Sequence, residues 1–249
     1  MIPVVLLPGG IMPAALAYAD LISALGDDVD ARAKELELYA GPEPPADYSL
    51  ALEVAGVARV ADEAGFDRFH LVGYSAGGAV AVMFATMQPE RLLSLTLNEP
   101  AWAGNVGMSA AETAVWSAFQ RIGAQDGPDM IRAFTEIQLA PGVAPPAAPA
   151  GAPPPWMAQR PRGIATLIAT FRAATLDLER LRAFDRPVLF TLGDKSNPNY
   201  YAETAQRLAN YFAQFRVEHF AERHHFDPPH RVEPQRMAGL LREFWGSAS

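Results

Sequence analysis

A serine in the first half of the chain lies in a pattern typical of a nucleophile. Residues 73–77 are Gly-Tyr-Ser-Ala-Gly, which fits G-x-S-x-G. Such a serine can occupy a sharp strand-to-helix turn with its hydroxyl exposed, and the flanking glycines allow neighbouring backbone to approach closely. An apolar segment, 69–72, comes directly before the pattern, and mostly small apolar residues follow it as far as Met87. This context favours Ser75 as a nucleophile over an ordinary glycine-rich turn.

A serine hydroxyl needs a base to take its proton, and three histidines are candidates for that base. His224, His225 and His230 follow the last predicted strand, whereas His70 and His219 lie within predicted strands and are expected to be structural. The loop after a parallel strand lies at the carboxyl edge of the sheet, where sites assemble. The sequence therefore predicts that the base comes from this loop.

The base needs an acid to orient its ring, and two carboxylates end predicted strands. Asp194 follows the fifth predicted strand and Glu99 follows the fourth. The order Ser75, Asp194, His225 matches the Ser…Asp…His order of this type of site. We therefore expect Asp194 to be the acid, with Glu99 as the alternative.

The same histidine loop has a second interpretation, a metal cluster made of His224, His225, Asp227 and His230. Two prolines among these residues prevent their presentation on a helix, and the serine motif already gives His225 a role. We therefore expect no metal, and we expect Asp227 to cap the loop. We also expect no nucleotide cofactor, because neither G-x-x-x-x-G-K-[ST] nor a G-x-G-x-x-G after a strand is present.

The elements that position these residues follow from the alternation of apolar segments with helical periodicity, which is typical of a mostly parallel α/β sheet. The predicted strands are 4–7, 35–39, 69–72, 92–97, 188–192 and 215–220. This rhythm breaks between residues 101 and 185. We therefore predict a core made of 1–100 and 186–249, and a helical cap insertion over 101–185 with a Pro/Ala-rich loop at 141–155. Ser109 and Glu112 predict a capping box at the start of a cap helix.

Composition limits the class of protein. The chain has 249 residues, half of them hydrophobic, which is enough for a sizeable core. Its net charge of −8 argues against a nucleic-acid partner, and the absence of cysteine excludes disulfides and thiol catalysis. The first basic residue is Arg32, and no stretch of about 18 apolar residues occurs. We therefore expect a cytoplasmic protein without a membrane partner, either a monomer or a homodimer.

These features together resemble the α/β-hydrolase superfamily in its capped, single-domain form. The resemblance rests on the motif at 73–77, the glycine loop at 8–10, Gly193-Asp194 and the histidine-bearing loop, and it extends over nearly the whole chain. It implies an α/β-hydrolase fold that begins at the family's third strand, which leaves a mostly parallel sheet of about six strands flanked by helices.

The resemblance also implies roles for individual residues. Ser75 would be the nucleophile, Asp194 the acid and His225 the base. His225 is favoured over His224 because an aromatic residue follows it and a Glu-Pro pair comes before the last helix, as is common in the family. The backbone N–H of Ala76 would form half of the oxyanion hole. The other half would come from Gly10 or Ile11.

The implied function is a serine hydrolase that acts on a small to medium apolar ester through an acyl-enzyme. The same residues would suit a C–C bond hydrolase, a thioesterase, a lactonase or a cofactor-free peroxidase, and some members of the fold are non-catalytic ligand receptors. A dehalogenase is disfavoured because it needs a carboxylate where Ser75 stands. Trp102, Trp116 and Tyr74 are the expected substrate contacts. For the two tryptophans, burial of the insertion against the sheet is the alternative.

Overall fold

The computed structural model describes residues 1–124, 128–147 and 151–246. Within these ranges six strands form one sheet in the order β2-β1-β3-β4-β5-β6, and all neighbouring strands are parallel. The strands are β1 Ile2–Leu7, β2 Val29–Ala33, β3 Phe69–Tyr74, β4 Leu92–Asn98, β5 Val188–Gly193 and β6 Phe215–Phe220. This architecture confirms the predicted parallel sheet of about six strands flanked by helices.

Ten α-helices connect and cover the strands in the described part of the chain. They are α1 Ala14–Leu25, α2 Leu50–Glu63, α3 Ala76–Met87, α4 Ala110–Gly123, α5 Pro128–Glu136, α6 Arg160–Ala173, α7 Leu178–Arg182, α8 Tyr201–Ala209, α9 Pro229–Val232 and α10 Pro234–Gly246. Short 3-10 helices occupy Glu37–Tyr39, Pro89–Arg91 and Pro155–Gln159. None of the helices in the described ranges is both long enough and apolar enough to cross a membrane.

Both faces of the sheet are covered by helices. Val4 and Leu6 of β1 pack in the cluster that contains α1 and α10, whereas Val5 and Leu7 pack in the cluster that contains α2 and α3. A strand buried on both faces is apolar along its whole length rather than at alternate positions. This explains why the inner strands were recognisable in the sequence as continuous apolar segments.

The second predicted strand, 35–39, is wrong. The strand in this part of the chain is β2, Val29–Ala33, which lies at the edge of the described sheet beside β1. Glu37–Tyr39 forms a 3-10 helix. Leu36 and Leu38 are buried by this turn, and the carboxylate of Glu53 accepts hydrogen bonds from the two N–H groups at 37 and 38, at 3.0 and 3.1 Å. The alternation of apolar and charged residues at 35–39 therefore reflects a turn whose N–H groups bind Glu53, and not a half-exposed strand. An outermost strand such as β2 needs little apolar character, so its sequence signal is weak.

The helices α4 to α7 lie between β4 and β5 in the sequence, within the predicted insertion. α4 begins as predicted at Ser109, whose Oγ accepts a hydrogen bond from the N–H of Glu112 at 3.1 Å. The carboxylate of Glu112 does not bind the backbone of Ser109 as a capping box requires. It pairs with Arg207 of α8 at 2.6 and 3.0 Å and also accepts a hydrogen bond from Thr204 at 2.9 Å. A buried ion pair therefore joins α4 to the core.

The segment after α5 joins the insertion to the core a second time. The carbonyl of Gln138 accepts a hydrogen bond from the N–H of Asn197 at 2.9 Å, and Ala140 donates to the carbonyl of Lys195, also at 2.9 Å. In the predicted loop 141–155, residues 141–147 and 151–154 have no helix or strand, and a 3-10 helix begins at Pro155. Residues 148–150 of that loop lie outside the described residues.

Candidate active site

Ser75 occupies the turn between β3 and α3, in a strained backbone conformation. Its φ is 52° and its ψ is −113°, a combination that costs a non-glycine residue on the order of 1–3 kcal/mol. The N–H of Ser75 donates to the carbonyl of Asn98 at 3.1 Å, which ties the turn to the neighbouring strand β4. The strand, the strained serine and the helix together are the structural context that the G-x-S-x-G pattern predicts.

The two glycines of the pattern are required by close approach of backbone. A Cβ atom on Gly73 would collide with the backbone carbonyl of Gly77. A Cβ atom on Gly77 would lie 2.5 Å from the backbone oxygen of Leu7 in β1. Only glycine therefore lets α3 begin this close to β1 and β3.

Ser75, His225 and Glu99 form a hydrogen-bonded chain. The Oγ of Ser75 lies 3.0 Å from Nε2 of His225, and Nδ1 of His225 lies 2.9 Å from Oε2 of Glu99. All three residues are buried, with 6%, 1% and 3% of their surface exposed. Because Nδ1 faces a carboxylate, it carries the hydrogen and donates it, so that Nε2 has a lone pair for the serine proton. The structure thus brings together the serine and the histidine that the sequence singled out, and their catalytic roles stay a prediction.

The expectation that Asp194 orients His225 is wrong. The carboxylate of Asp194 instead accepts a hydrogen bond from Nδ1 of His219 at 2.9 Å, and its side chain is 49% exposed. Glu99 directly follows β4 and has a φ of 45°, and its second oxygen accepts a hydrogen bond from the N–H of Gly193 at 2.8 Å. The Gly193-Asp194 turn therefore provides the backbone N–H that holds the carboxylate of Glu99. The carboxylate of Asp194 itself does not bind His225.

The other histidines and the aspartate of the same loop have separate partners. His224 lies 3.2 Å from Asp227 through Nε2. His230 accepts a hydrogen bond from the amide of Asn98 at 3.1 Å, and burial, together with the charges of Arg231 and His225, lowers its pKa to about 3. His230 is therefore neutral at ordinary pH. Across the described residues, no three His, Asp or Glu side chains come together as metal ligands would.

Two tyrosine rings border His225. Tyr74, predicted as a substrate contact, donates its hydroxyl to the carbonyl of His225 at 2.5 Å and so holds the loop backbone. The ring of Tyr201, on α8, stacks on the imidazole with a centroid distance of 4.7 Å and an interplanar angle of 10°. Nothing in the sequence pattern singles out Tyr201, because a tyrosine on a core-facing helix looks like any other buried residue.

Backbone donors for an oxyanion lie beside Ser75. Ala76 begins α3, and the first N–H groups of a helix have no acceptor within the helix and sit at the positive end of its dipole. Gly10 is the neighbouring backbone, since a Cβ placed on it would lie 3.9 Å from Cβ of Ala76. Gly10 borders the same pocket as Ser75, whereas Ile11 packs against the core. Gly10 is therefore the stronger of the two predicted partners for Ala76.

An apolar pocket opens above Ser75. Gly10, Ser75 and Ala76 form its floor, and the space it encloses, including its mouth, is about 390 Å³. Its walls come mainly from α4, α5 and α6, with Trp116, Phe119, Phe134, Ile164, Leu167, Ile168 and Phe171. The polar side chain of Gln138 also lines it. An apolar lining of this kind suits a small apolar group.

The two predicted tryptophan contacts have different positions. Trp116 lines the pocket, so its contact with a substrate stays a prediction with a suitable location. Trp102 is fully buried, stacks on Phe171 at 5.9 Å and donates its indole N–H to Asn105 at 3.0 Å. These contacts of Trp102 lie within the insertion, and Trp102 is not among the residues that line the pocket described above.

Known structures share this fold. An esterase from Exiguobacterium antarcticum superposes with a TM-score of 0.74 at 19% identity, over 99% of this chain and 92% of that one. A thermophilic esterase from Thermogutta terrifontis superposes with a TM-score of 0.71 at 16% identity, over 100% of this chain and 90% of that one. At these identities the comparison establishes the fold.

Two comparisons of sequence add to this. The chain is 33% identical over 101 residues, 40% of its length, to the dihydrolipoyllysine-residue acetyltransferase component of the acetoin cleaving system of Cupriavidus necator. The match spans only 27% of that relative. A sequence model of the alpha/beta hydrolase family matches residues 4–240, a range that begins in β1, ends in α10 and includes Ser75, Glu99 and His225. The chain therefore belongs to the alpha/beta hydrolase family.

Proposed function

We propose that the protein is a serine hydrolase that cleaves small to medium apolar esters through an acyl-enzyme intermediate. The observation that carries this proposal is the hydrogen-bonded chain from Ser75 through His225 to Glu99, with distances of 3.0 and 2.9 Å, on the floor of an apolar pocket. A serine next to a base that is itself oriented by an acid is the arrangement that activates a hydroxyl for attack on a carbonyl. Membership of the family supports the same conclusion.

In the first half of the reaction, Oγ of Ser75 attacks the ester carbonyl and its proton passes to Nε2 of His225. Glu99 stabilises the resulting imidazolium through the hydrogen bond to Nδ1. The carbonyl oxygen becomes an oxyanion that accepts hydrogen bonds from the N–H of Ala76 and from that of Gly10 or Ile11. Each such donor lowers the barrier by about 3 kcal/mol.

The tetrahedral intermediate then breaks its C–O bond, and His225 returns the proton to the leaving alcohol. A water molecule attacks the acyl-enzyme and gives its proton to the same nitrogen. The second intermediate collapses, the proton returns to Ser75, and the carboxylic acid leaves. One imidazole thus acts as base and acid in turn, and the ester and water become an alcohol and an acid.

The inserted helices set the size of the substrate in this proposal. Trp116, Phe119 and Phe171 form apolar walls over Ser75 and act as a cap that excludes bulk water from the reacting carbonyl. The apolar lining of the pocket supports a short acyl group as the part of the substrate that it receives. A series of p-nitrophenyl esters of graded acyl length is therefore the appropriate set of probes.

The decisive variant is Ser75→Ala. We expect it to lower ester hydrolysis by about four orders of magnitude or more, because the nucleophile is lost, with little change in the melting temperature. Ser23→Ala, at an exposed position on α1, is the matched control and keeps the rate of the wild type. Labelling by a fluorophosphonate should occur in the wild type and not in Ser75→Ala. A wild-type protein that neither hydrolyses esters nor takes the label would instead be a ligand receptor on the same fold.

A further inference from the structure

Tyr201 is held in place against His225 by the insertion. Its hydroxyl donates to Oε1 of Gln138 at 2.7 Å, and Nε2 of Gln138 donates to the carbonyl of Phe134, also at 2.7 Å. Because that carbonyl can only accept, the amide has one possible orientation, with its oxygen toward Tyr201. The tyrosine ring therefore has a fixed position at its hydroxyl end and a fixed backbone on α8.

The stacking of Tyr201 on His225 differs from the contacts of the other nearby rings. Of the aromatic rings described around His225, Tyr201 lies at an interplanar angle of 10°, Tyr74 at 35° and Phe226 at 87°. Tyr201 is fully buried, so no water competes for that face of the imidazole. One face of the imidazole is thus covered by a parallel aromatic ring.

This contact restrains a motion that the two hydrogen bonds of His225 leave free. His225 binds Glu99 through Nδ1 and Ser75 through Nε2, and both ring nitrogens form hydrogen bonds in the plane of the imidazole. The imidazole can therefore still tilt about the line that joins these two nitrogens. A parallel ring 4.7 Å away blocks that tilt by steric contact. The negative face of the phenol ring also attracts a cation placed over it, which the imidazole becomes when it accepts the serine proton.

We propose that Tyr201, anchored by Gln138, is a positioning residue that keeps the His225 ring in line between Glu99 and Ser75 and stabilises its protonated form during catalysis. The inference rests on the proposed function, since it concerns the base of that reaction. Tyr201 acts through His225 and not on the substrate.

The charged groups around this imidazole allow the effect to be measured as a pH dependence. Glu99 binds it from the end of β4, the ring of Tyr74 borders it from β3, and His230 of α9 is close enough to interact with it electrostatically. Arg231 acts on both His230 and Tyr74, and Asp227 acts on Tyr74. Burial lowers the pKa of His230 to about 3, and desolvation raises the pKa of Tyr74 well above its usual value. Neither of these two neighbours therefore changes charge between about pH 4 and 9.

The test compares Tyr201→Leu with Tyr201→Phe, using the p-nitrophenyl ester that the wild type hydrolyses best. For Tyr201→Leu we expect kcat to fall about tenfold with KM changed by less than about twofold, because the ring acts on the transition state. Without the aromatic face the protonated imidazole is less stable, so the acid limb of kcat/KM moves to lower pH by about half to one unit. Tyr201→Phe keeps the ring, so its acid limb stays in place and its kcat within about threefold of the wild type.

Phe212→Leu is the matched control, since Phe212 is a buried aromatic residue just after α8 whose described ring contacts are with Phe184 and Phe215 and not with Tyr201 or His225. We expect its acid limb to stay in place. If Tyr201→Leu does not fold, Tyr201→Met carries the same prediction with a longer and more adaptable side chain. The inference is overturned if the acid limb does not move in the Leu or Met variant, or if Tyr201→Phe loses as much activity as they do. A wild-type protein without esterase activity contradicts the proposed function, and with it this inference.

Discussion

At the scale of single residues, the direction of one side chain decides which carboxylate contacts His225. Asp194 and Glu99 both follow strands at the same sheet edge, so chain order alone does not separate them. Glu99 turns toward His225 because its backbone adopts a positive φ and the N–H of Gly193 holds its other oxygen. Neither the positive φ of Glu99 nor its hydrogen bond with the distant Gly193 can be recognised in a single sequence.

The exchange of acids can be tested directly. Glu99→Gln should lower kcat/KM by about three to four orders of magnitude, because the amide can donate to Nδ1 and so favour the wrong tautomer of His225. Asp194→Asn should stay within about threefold of the wild type, because its carboxylate binds the exposed His219. Steady-state kinetics on a p-nitrophenyl ester measures both. The opposite ranking of the two variants would restore Asp194 as the acid.

The sequence indicated the proposed nucleophile and base more readily than the residues packed around them. Ser75 and His225 were recognisable because a strained turn and a loop at a sheet edge have local patterns. Tyr201 was not, because its role depends on a contact with His225 that is 24 residues away in the chain and on an anchor in the insertion. Long-range contacts of this kind leave no periodicity in a single sequence.

At the scale of secondary-structure elements, one buried ion pair fixes α4 to α8. Glu112 is 1% exposed and Arg207 is 6% exposed, and two hydrogen bonds join the carboxylate to the guanidinium. Arg207 also donates to the carbonyl of Ala103 at 2.8 Å. Since α4 carries Trp116 and therefore part of the pocket wall, this pair supports the shape of the pocket.

Replacement of one partner of the Glu112–Arg207 ion pair should destabilise the protein far more than replacement of both. Glu112→Leu leaves the guanidinium of Arg207 buried without its anion, and we expect the free energy of unfolding to fall by about 3–5 kcal/mol. The double variant Glu112→Leu, Arg207→Leu should recover most of that loss, because it removes the stranded charge. Thr204→Val, which removes only the hydroxyl contact, should cost about 1 kcal/mol. Urea unfolding followed by circular dichroism measures all three, and a double variant no more stable than the single one would contradict this account.

The strands of the sheet differ in how far the sequence predicts them. The segments of β1, β3, β4 and β5 are predominantly apolar because helices cover both faces of the sheet. β2 pairs on one side only and contains Asp30 and Arg32, so nothing in its pattern separates it from a loop. The sequence pattern instead predicts a strand at 35–39, in the turn that follows β2, because Leu36 and Leu38 enter the core there.

At the scale of the whole molecule, buried histidines couple stability to pH. His70 stacks on Trp245 and lies 2.8 Å from Ser94, and burial lowers its pKa to about 4. In the unfolded chain a histidine has a pKa of about 6.5, so between about pH 6.5 and 4 the unfolded state binds a proton that the native state does not. Stability is therefore complete above this window and decreases as the pH falls through it, by about 1.4 kcal/mol per pH unit for one such group.

The variant His70→Gln should remove this contribution. We expect its free energy of unfolding to depend less steeply on pH between 4.5 and 6.5 than that of the wild type, by about 1.4 kcal/mol per unit. His219→Gln is the control, because it replaces a histidine whose side chain is 59% exposed. Denaturant unfolding at several pH values measures both, and an equal slope in His70→Gln and the wild type would refute the prediction.

At Ser75 and Glu99, the strained backbone of the proposed site lowers the stability of the fold. Of the three non-glycine residues with positive φ in the described ranges, two are the proposed nucleophile and the proposed acid. Glycine would adopt either conformation without steric cost. At position 75, a laboratory selection for heat resistance alone would therefore favour glycine and give a more stable protein that lacks the proposed nucleophile. At position 99 the same change would also leave the N–H of Gly193 and Nδ1 of His225 without their acceptor, so the relief of strain there is offset. In the proposed mechanism, resistance to heat is thus limited by the residue that attacks the substrate.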